Sequence, residues 1–297
     1  MIKLIIICGA TAVGKTAFSI ELAKAIDAEI INADASQFKK YLNIGTAKIT
    51  FEEMNSIKHH LIDIINPCDD FSISDYQLLG RFKIDEINKA GKNIIICGGS
   101  GLYIDALVND YQLNAKKSNH HLDEEAYKNY SNIELYNILE ELDPHLASLT
   151  HPNNRNRVLR YIERANDGDS IKNDNNKPIY DCMYLLLNRN RDDLYNRINQ
   201  RTKLMLENGW IDECINLKNK GFDLNNIKEI GYKEIGKYLD NEISYEELVD
   251  MIQKDTRHYA KRQITWFNNK TKHHLIDVEN YNMEEITKLV KSFLKGE

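Results

Sequence analysis

The sequence has no C-x-x-C pair among its five cysteines, no repeat, no low-complexity tract, and no apolar run near the ~18 residues that a membrane-spanning helix needs. Each absence removes a class of protein. Cys8, Cys68, Cys97, Cys182 and Cys214 are scattered and odd in number, which argues against both a disulfide framework and a zinc site. Cys8 and Cys97 stand within apolar runs and read as core thiols. Without a long apolar run, no membrane partner is expected. The N-terminus opens on a buried-type strand, not on a basic segment with a cleavage site or an Arg/Ser-rich transit peptide, and this predicts a cytoplasmic protein.

What is present suits a soluble globular chain: 42% hydrophobic and 28% charged residues over 297 positions, enough for one large domain and a smaller one. The net charge of −6 argues weakly against nucleic-acid binding, but the charge is uneven. Residues 251–270 carry Lys254, Arg257, Lys261, Arg262 and Lys270 against a single acid, Asp255. Arg155, Arg157, Arg160 and Arg164 face only Glu163 in residues 151–164, and residues 189–203 are also mainly basic. Such segments on an acidic chain suggest local anion sites, with solvated helix faces as the alternative.

The most informative segment is Gly9-Ala10-Thr11-Ala12-Val13-Gly14-Lys15-Thr16. It follows the apolar run Leu4–Cys8 and opens a helical stretch from Ala17 to Ala25, the context a phosphate-binding loop requires. The glycines let backbone N–H groups wrap a pyrophosphate, Lys15 supplies a compact charge, and the Thr16 hydroxyl can hold Mg²⁺. A ligand with two or three phosphates is expected here.

Leu4–Cys8, Glu29–Asn32 and Asn93–Cys97 read as buried parallel strands with helical patterns between them, so the first ~110 residues form an α/β domain. From Tyr111 to about Pro178 the strand signals stop. Helices are expected there at Ile133–Leu142 and Arg157–Ala165, with turn-rich loops at 167–169 and 173–177, making 111–178 an inserted helical unit. Tyr180–Asn188 reads as a strand returning to the sheet. Helices at Asp192–Asn208, Trp210–Lys220, Ser244–Phe267 and Met283–Leu294 complete a core of 1–110 and 179–297. Nothing in the chain calls for an obligate dimer, and a monomer is expected.

Ligands of parallel sheets bind at the carboxyl ends of the strands, where the phosphate loop, Asp34 and Gly98-Gly99-Ser100-Gly101 all fall. Asp34 could accept a proton from a nucleophile, position Mg²⁺, or simply cap the following segment. A kinase would usually show an apolar run ending in aspartate, but Ile94–Cys97 runs into Gly98-Gly99-Ser100, which could face an anion or turn tightly into a helix. The adjacent His59 and His60 point to different faces, favouring packing or capping over metal. Near the C-terminus, Lys254, Arg257 and Lys261 share one helical face while Ile252, Tyr259 and Trp266 repeat on another, a plausible phosphodiester track.

Taken together, G-A-T-A-V-G-K-T (9–16), N-A-D-A-S-Q (32–37), I-G-T-A-K (44–48), H-H-L-I-D (59–63), G-G-S-G-L-Y-I (98–104), H-P-N-N-R-N-R-V-L-R (151–160), I-G-Y-K-E-I (230–235) and T-R-H-Y-A-K-R-Q-I-T-W-F (256–267) resemble the bacterial tRNA dimethylallyltransferases. The resemblance spans residues 4 to about 267 in order. It implies a P-loop NTPase-like core with an inserted small helical domain that contacts tRNA. It also implies transfer of a dimethylallyl group from dimethylallyl diphosphate to N6 of the adenosine 3′-adjacent to the anticodon. The substrates would be tRNAs reading codons that begin with U, and the partner an anticodon stem-loop. By the same resemblance, Asp34 is the general base and Ser100 a catalytic neighbour standing where threonine is usual. Gly9, Ala10, Thr11, Ala12, Val13, Gly14, Lys15, Thr16 and Arg201 hold the diphosphate, with Mg²⁺ on Thr16. The implied RNA-lining residues run through Asp34, Ala35, Ser36 and Gln37, then Asn156, Arg157, Val158, Leu159 and Arg160. They continue with Ile230, Gly231, Tyr232 and Lys233, and with Thr256, Arg257, Lys261, Arg262 and Gln263. The chain departs from the family pattern at Ala35, Lys39 and Asn43, and in lacking an arginine within 122–126. A phosphate-loop small-molecule kinase is the alternative enzyme.

Overall fold

A computed structural model describes residues 1–111, 126–166, 177–270 and 272–297. The chain divides into two compact units, Met1–Asp110 with Lys177–Glu297, and Tyr111–Asn176.

The larger unit is built on a parallel sheet. Its strands are β1 (Lys3–Gly9), β2 (Ala28–Asn32), β3 (His59–His60), β4 (Asn93–Gly98), β5 (Asp181–Asn188) and β6 (His274–Asp277), in the spatial order β3-β2-β4-β1-β5-β6. The central strands are near-continuous β-branched or leucine runs because both of their faces are covered. Ile5 and Ile7 of β1 enter one hydrophobic cluster and Leu4, Ile6 and Cys8 the other, as the two-residue period of a strand requires. The flanking helices before the insertion are α1 (Lys15–Ile26), α2 (Phe51–Met54), α3 (Ile73–Lys89) and α4 (Gly101–Val108).

The four strands read from apolar runs are present. β3 and β6 lie outside that reading, and both are short edge strands with too few apolar residues to form a run. Because β1 runs on to β2, the chain returns to β4 between them, and β5 lies on the far side of β1, the strand order reverses at β1 and β4. Their carboxyl ends open the crevice in which such sheets bind ligands.

In the smaller unit α5 (Asn132–Leu142), α6 (Pro144–Ser148) and α7 (Arg155–Asn166) close on Leu135, Leu139, Leu146, Val158 and Ile162. Ser131 and Glu134 form a reciprocal cap on α5. Arg155 is spent on structure, its guanidinium donating to the Tyr127 and Tyr130 carbonyls at 2.6 Å each. The loops expected at 167–169 and 173–176, and the arginine-free segment 122–125, lie outside the described residues.

After the insertion come α8 (Arg191–Glu207), α9 (Trp210–Asn219), α10 (Tyr232–Leu239), α11 (Tyr245–Lys270) and α12 (Met283–Lys295). Trp210, Cys214, Tyr232, Ile235, Leu248 and Ile252 form a further core of their own against Leu42. α11 joins that core to the sheet, since its Ala260 and Phe267 belong to the two sheet clusters.

Candidate functional site

β1 ends at Gly9, and the loop that follows adopts backbone geometry open mainly to glycine: φ is 145° at Gly9, 62° at Ala12 and 117° at Gly14. Gly14 starts α1 without a side-chain cap, leaving the first N–H groups of that helix free for an anion. Lys15 curls over the loop, its ammonium donating to the Ala10 carbonyl at 2.8 Å and the Gly9 carbonyl at 3.1 Å. Burial pushes its pKa down, and the Asp34 carboxylate pulls in the opposite direction. Thr16 remains exposed on the first turn of α1. From α8, Arg197 donates to the Ala12 carbonyl at 3.1 Å. One turn later stands Arg201, whose pKa is lowered by burial and raised by Asp34.

Asp34 follows β2, with its backbone N–H held by the Asn32 side chain at 2.9 Å. It does cap the next turn, Oδ1 accepting the Ser36 N–H at 3.1 Å, and this cap fixes the carboxylate in place. Two cavities meet there. One, about 280 Å³, is lined by Thr11, Arg201, Thr256, Tyr259 and Arg262 among others; the other, about 40 Å³, is lined by Lys15, Thr16, Asn32 and His59 among others. Of all the residues lining them, Asp34 is the one common to both.

The loop after β4 is a tight turn into α4. The Ser100 hydroxyl accepts the Ala35 N–H at 3.2 Å, and the Tyr259 phenol lies within hydrogen-bonding reach of Ser100 and Gln263. Burial and the neighbouring Asp34 both push the Tyr259 pKa up, so it stays a neutral donor. Gln263 Oε1 accepts the Thr11 N–H at 2.8 Å and its Nε2 donates to the Gly99 carbonyl at 2.9 Å.

The far wall of the larger cavity is the loop Gly45-Thr46-Ala47. The Glu213 carboxylate of α9 holds it from behind by accepting the N–H groups of Asn43, Ile44 and Gly45 at 2.8, 2.7 and 3.2 Å. Lys48, nearly buried, ties the other side to the Lys39 carbonyl, the Asn43 side chain and Asp63. A Cβ on Gly45 would overlap the Trp210 indole, so this wall needs glycine.

The IPP transferase family model matches residues 37–270. The tRNA dimethylallyltransferases of Alkaliphilus oremlandii and Clostridioides difficile are each 41% identical over 99% of this chain, and over 97% and 98% of their own lengths. The chain belongs to the IPP transferase family. The full-length tRNA isopentenylpyrophosphate transferase of Bacillus halodurans superposes with a TM-score of 0.75 at 37% identity, covering all of this chain and 98% of its own. A eukaryotic dimethylallyltransferase described as acting on tRNA gives a TM-score of 0.85 at 25% identity, over all of this chain and 80% of that one. The family model begins after the phosphate loop, but the two curated relatives span 99% of the chain.

In this IPP transferase the residues expected from the sequence fall into three groups. Asp34, Ser36, Thr11, Ala12, Arg201, Ile230, Thr256 and Arg262 line the larger cavity, and Lys15, Thr16 and Gln37 the smaller. Asn156, Arg157, Arg160, Lys233 and Lys261 are exposed, Arg157 lying over the Tyr161 ring, while Ala35 and Leu159 are half-buried. The side chains of a third group are turned inward or engaged within the chain. Val158 is buried in the smaller unit's core, Tyr232 is buried with its hydroxyl on Glu213, and Gly231 is packed beneath Trp210. Gln263 is buried against the phosphate loop, and Arg257 is engaged with Asn199 at 2.6 Å.

His60 is bound to Glu29 at 2.6 Å and His59 to the Ile57 carbonyl at 2.9 Å, the packing role expected of them. No cluster of three or more potential metal-ligating His, Cys, Asp or Glu side chains occurs among the described residues. The exposed Thr16 hydroxyl, at the N-terminus of α1 beside the phosphate loop, is the kind of oxygen donor that Mg²⁺ accepts. Glu213 and Trp210 give no signal in the sequence because each acts on residues about 165 to 170 positions earlier in the chain.

Proposed function

We propose that this chain is a tRNA dimethylallyltransferase that alkylates N6 of the adenosine 3′-adjacent to the anticodon, using dimethylallyl diphosphate and releasing diphosphate. One observation carries the reading: Asp34 stands where two cavities meet, one beside the phosphate loop and one large enough for a nucleobase. The diphosphate lies against the phosphate loop and the N-terminus of α1, with Lys15 and Arg201 neutralising its charge. The adenosine leaves its stack and enters the larger cavity, as enzymes acting on bases require. There its amine meets Asp34, the C1–O bond of the donor breaks, the N6–C1 bond forms, and the carboxylate takes the N6 proton. Arg201 and Lys15 stabilise the departing diphosphate, and Tyr259, a neutral phenol within reach of Ser100, lines the larger cavity with Asp34. Thr16 would hold Mg²⁺, which when bound adds charge neutralisation to the leaving group.

The named relatives support this reading over a small-molecule kinase. The test supplies tRNA with labelled dimethylallyl diphosphate or with labelled ATP. Label should pass to tRNA from the first alone; transfer from ATP to a small acceptor, with none from dimethylallyl diphosphate, would overturn the proposal.

A further inference from the structure

We infer that Gln263 is a positioning residue for the donor, holding the phosphate loop in its binding conformation from α11; this rests on the transferase reading. The residue is 4% exposed, and its side chain is bonded at both ends, to the Thr11 N–H and to the Gly99 carbonyl.

The contact is built, not incidental. A Cβ on Gly99 would overlap Gln263 Nε2, and a Cβ on Gly101 would overlap the Trp266 ring one turn along α11. Only glycine at both positions lets the helix approach this closely. Gln263 therefore ties two strand-end loops together across the crevice between β1 and β4.

The loop needs this support at one residue in particular. Ala12 holds a left-handed φ of 62°, a conformation unfavourable for a residue with a Cβ that persists only where surroundings over-determine it. Gln263 grips the N–H of the residue before it, and Arg197 grips the carbonyl of Ala12 itself. α11 and α8 thus clamp the turn from opposite ends. Tyr259, one turn earlier on α11, lines the cavity that would receive the base, so one helix contacts both substrates' compartments.

Two variants reach the contact from its two sides. Gln263→Met keeps length and volume but cannot bond either loop, and Gly99→Ala leaves the glutamine intact but displaces it. Calorimetric titration with magnesium pyrophosphate, without RNA, reads the loop directly. Affinity is expected to fall about tenfold in both, with donor kcat/KM falling some 10- to 100-fold, in line with misplacement of a reacting group by an ångström. tRNA affinity by filter binding should hold, and the double variant should be no worse than either single one because both break the same contact. Unchanged pyrophosphate affinity would overturn the inference, as would a loss confined to tRNA binding or to the urea midpoint with folded-state kinetics intact. Should the wild type fail to transfer the prenyl group while the variants still lose pyrophosphate, the transferase reading would fall and the role of Gln263 would stand.

Discussion

The Tyr232 hydroxyl donates to the Glu213 carboxylate at 2.7 Å, and the same carboxylate gathers three successive backbone N–H groups from residues 43 to 45. A side chain of α9 thus fills an anion nest on its own chain and fixes one wall of the larger cavity. Glu213→Ala should cost about 2 to 3 kcal/mol in urea unfolding, since the phenol and the nest lose a charged acceptor together. Tyr232→Phe, removing one bond only, should cost about 1 kcal/mol. The KM for tRNA should rise in Glu213→Ala while donor affinity holds; a rise in donor KM alone would contradict the placement of the wall.

Asp34→Asn is the sharper test of chemistry than truncation, because asparagine retains the oxygen that accepts the Ser36 N–H. The fold and the donor site should survive, and single-turnover transfer should drop by roughly 10² to 10⁴ through loss of the base. A near-normal rate at saturating donor and tRNA would remove Asp34 from the mechanism.

Lys15 gives the reaction an alkaline limit. Its pKa lies below the ordinary lysine value of 10.5 chiefly because it is buried, so as pH rises the free enzyme loses the ammonium earlier than a surface lysine would. The charged form binds diphosphate. Donor kcat/KM should therefore be full below that lowered pKa and decline above it, at a pH under 10.5. Lys15→Arg, which stays charged, should abolish the decline even if the maximal rate is lower.

Of the three basic residues that share one face of α11, Lys254 and Lys261 are exposed, whereas Arg257 is half-buried and bonded to Asn199. Replacing the two lysines with alanine should weaken tRNA binding and reduce the magnitude of the salt slope by about one to two, one counterion for each phosphate that is no longer neutralised. Filter binding across a salt series measures both quantities. Arg257→Ala should act mainly on stability, through its bond to α8.

How much of this is legible in the sequence depends on how local each signal is. The central strands are apolar runs, and the phosphate loop is contiguous, so both stand out in the bare sequence. α3 does not, because Leu78, Leu79 and Phe82 lie exposed on it and blur the division between buried and solvated faces. Asp34 and Lys15 point to the donor and base compartments, because their positions at strand ends follow from the α/β pattern. Gln263, Glu213 and Lys48 act across 252, 170 and 15 residues of chain respectively, to Thr11, Asn43 and Asp63. A bond of that kind exists only after the elements have packed, and its partners cannot be paired by reading either one's neighbours along the chain.

The strand order also sets a timetable for synthesis on the ribosome. β1 is made first, yet its neighbours are β4, more than 80 residues later, and β5, more than 170 residues later. At roughly 5 to 20 residues per second, the nascent Leu4–Cys8 segment waits several seconds for its first partner and about twice as long for its second. During that interval an unpaired apolar strand is open to wrong pairing, and the non-local closure that ends it is slow. The phosphate loop follows directly on β1 and Asp34 on β2, so the earliest-made parts of the active centre are among the last to acquire their final shape. Capture by a chaperone during translation would fall within that interval, before residue 188 has left the exit tunnel.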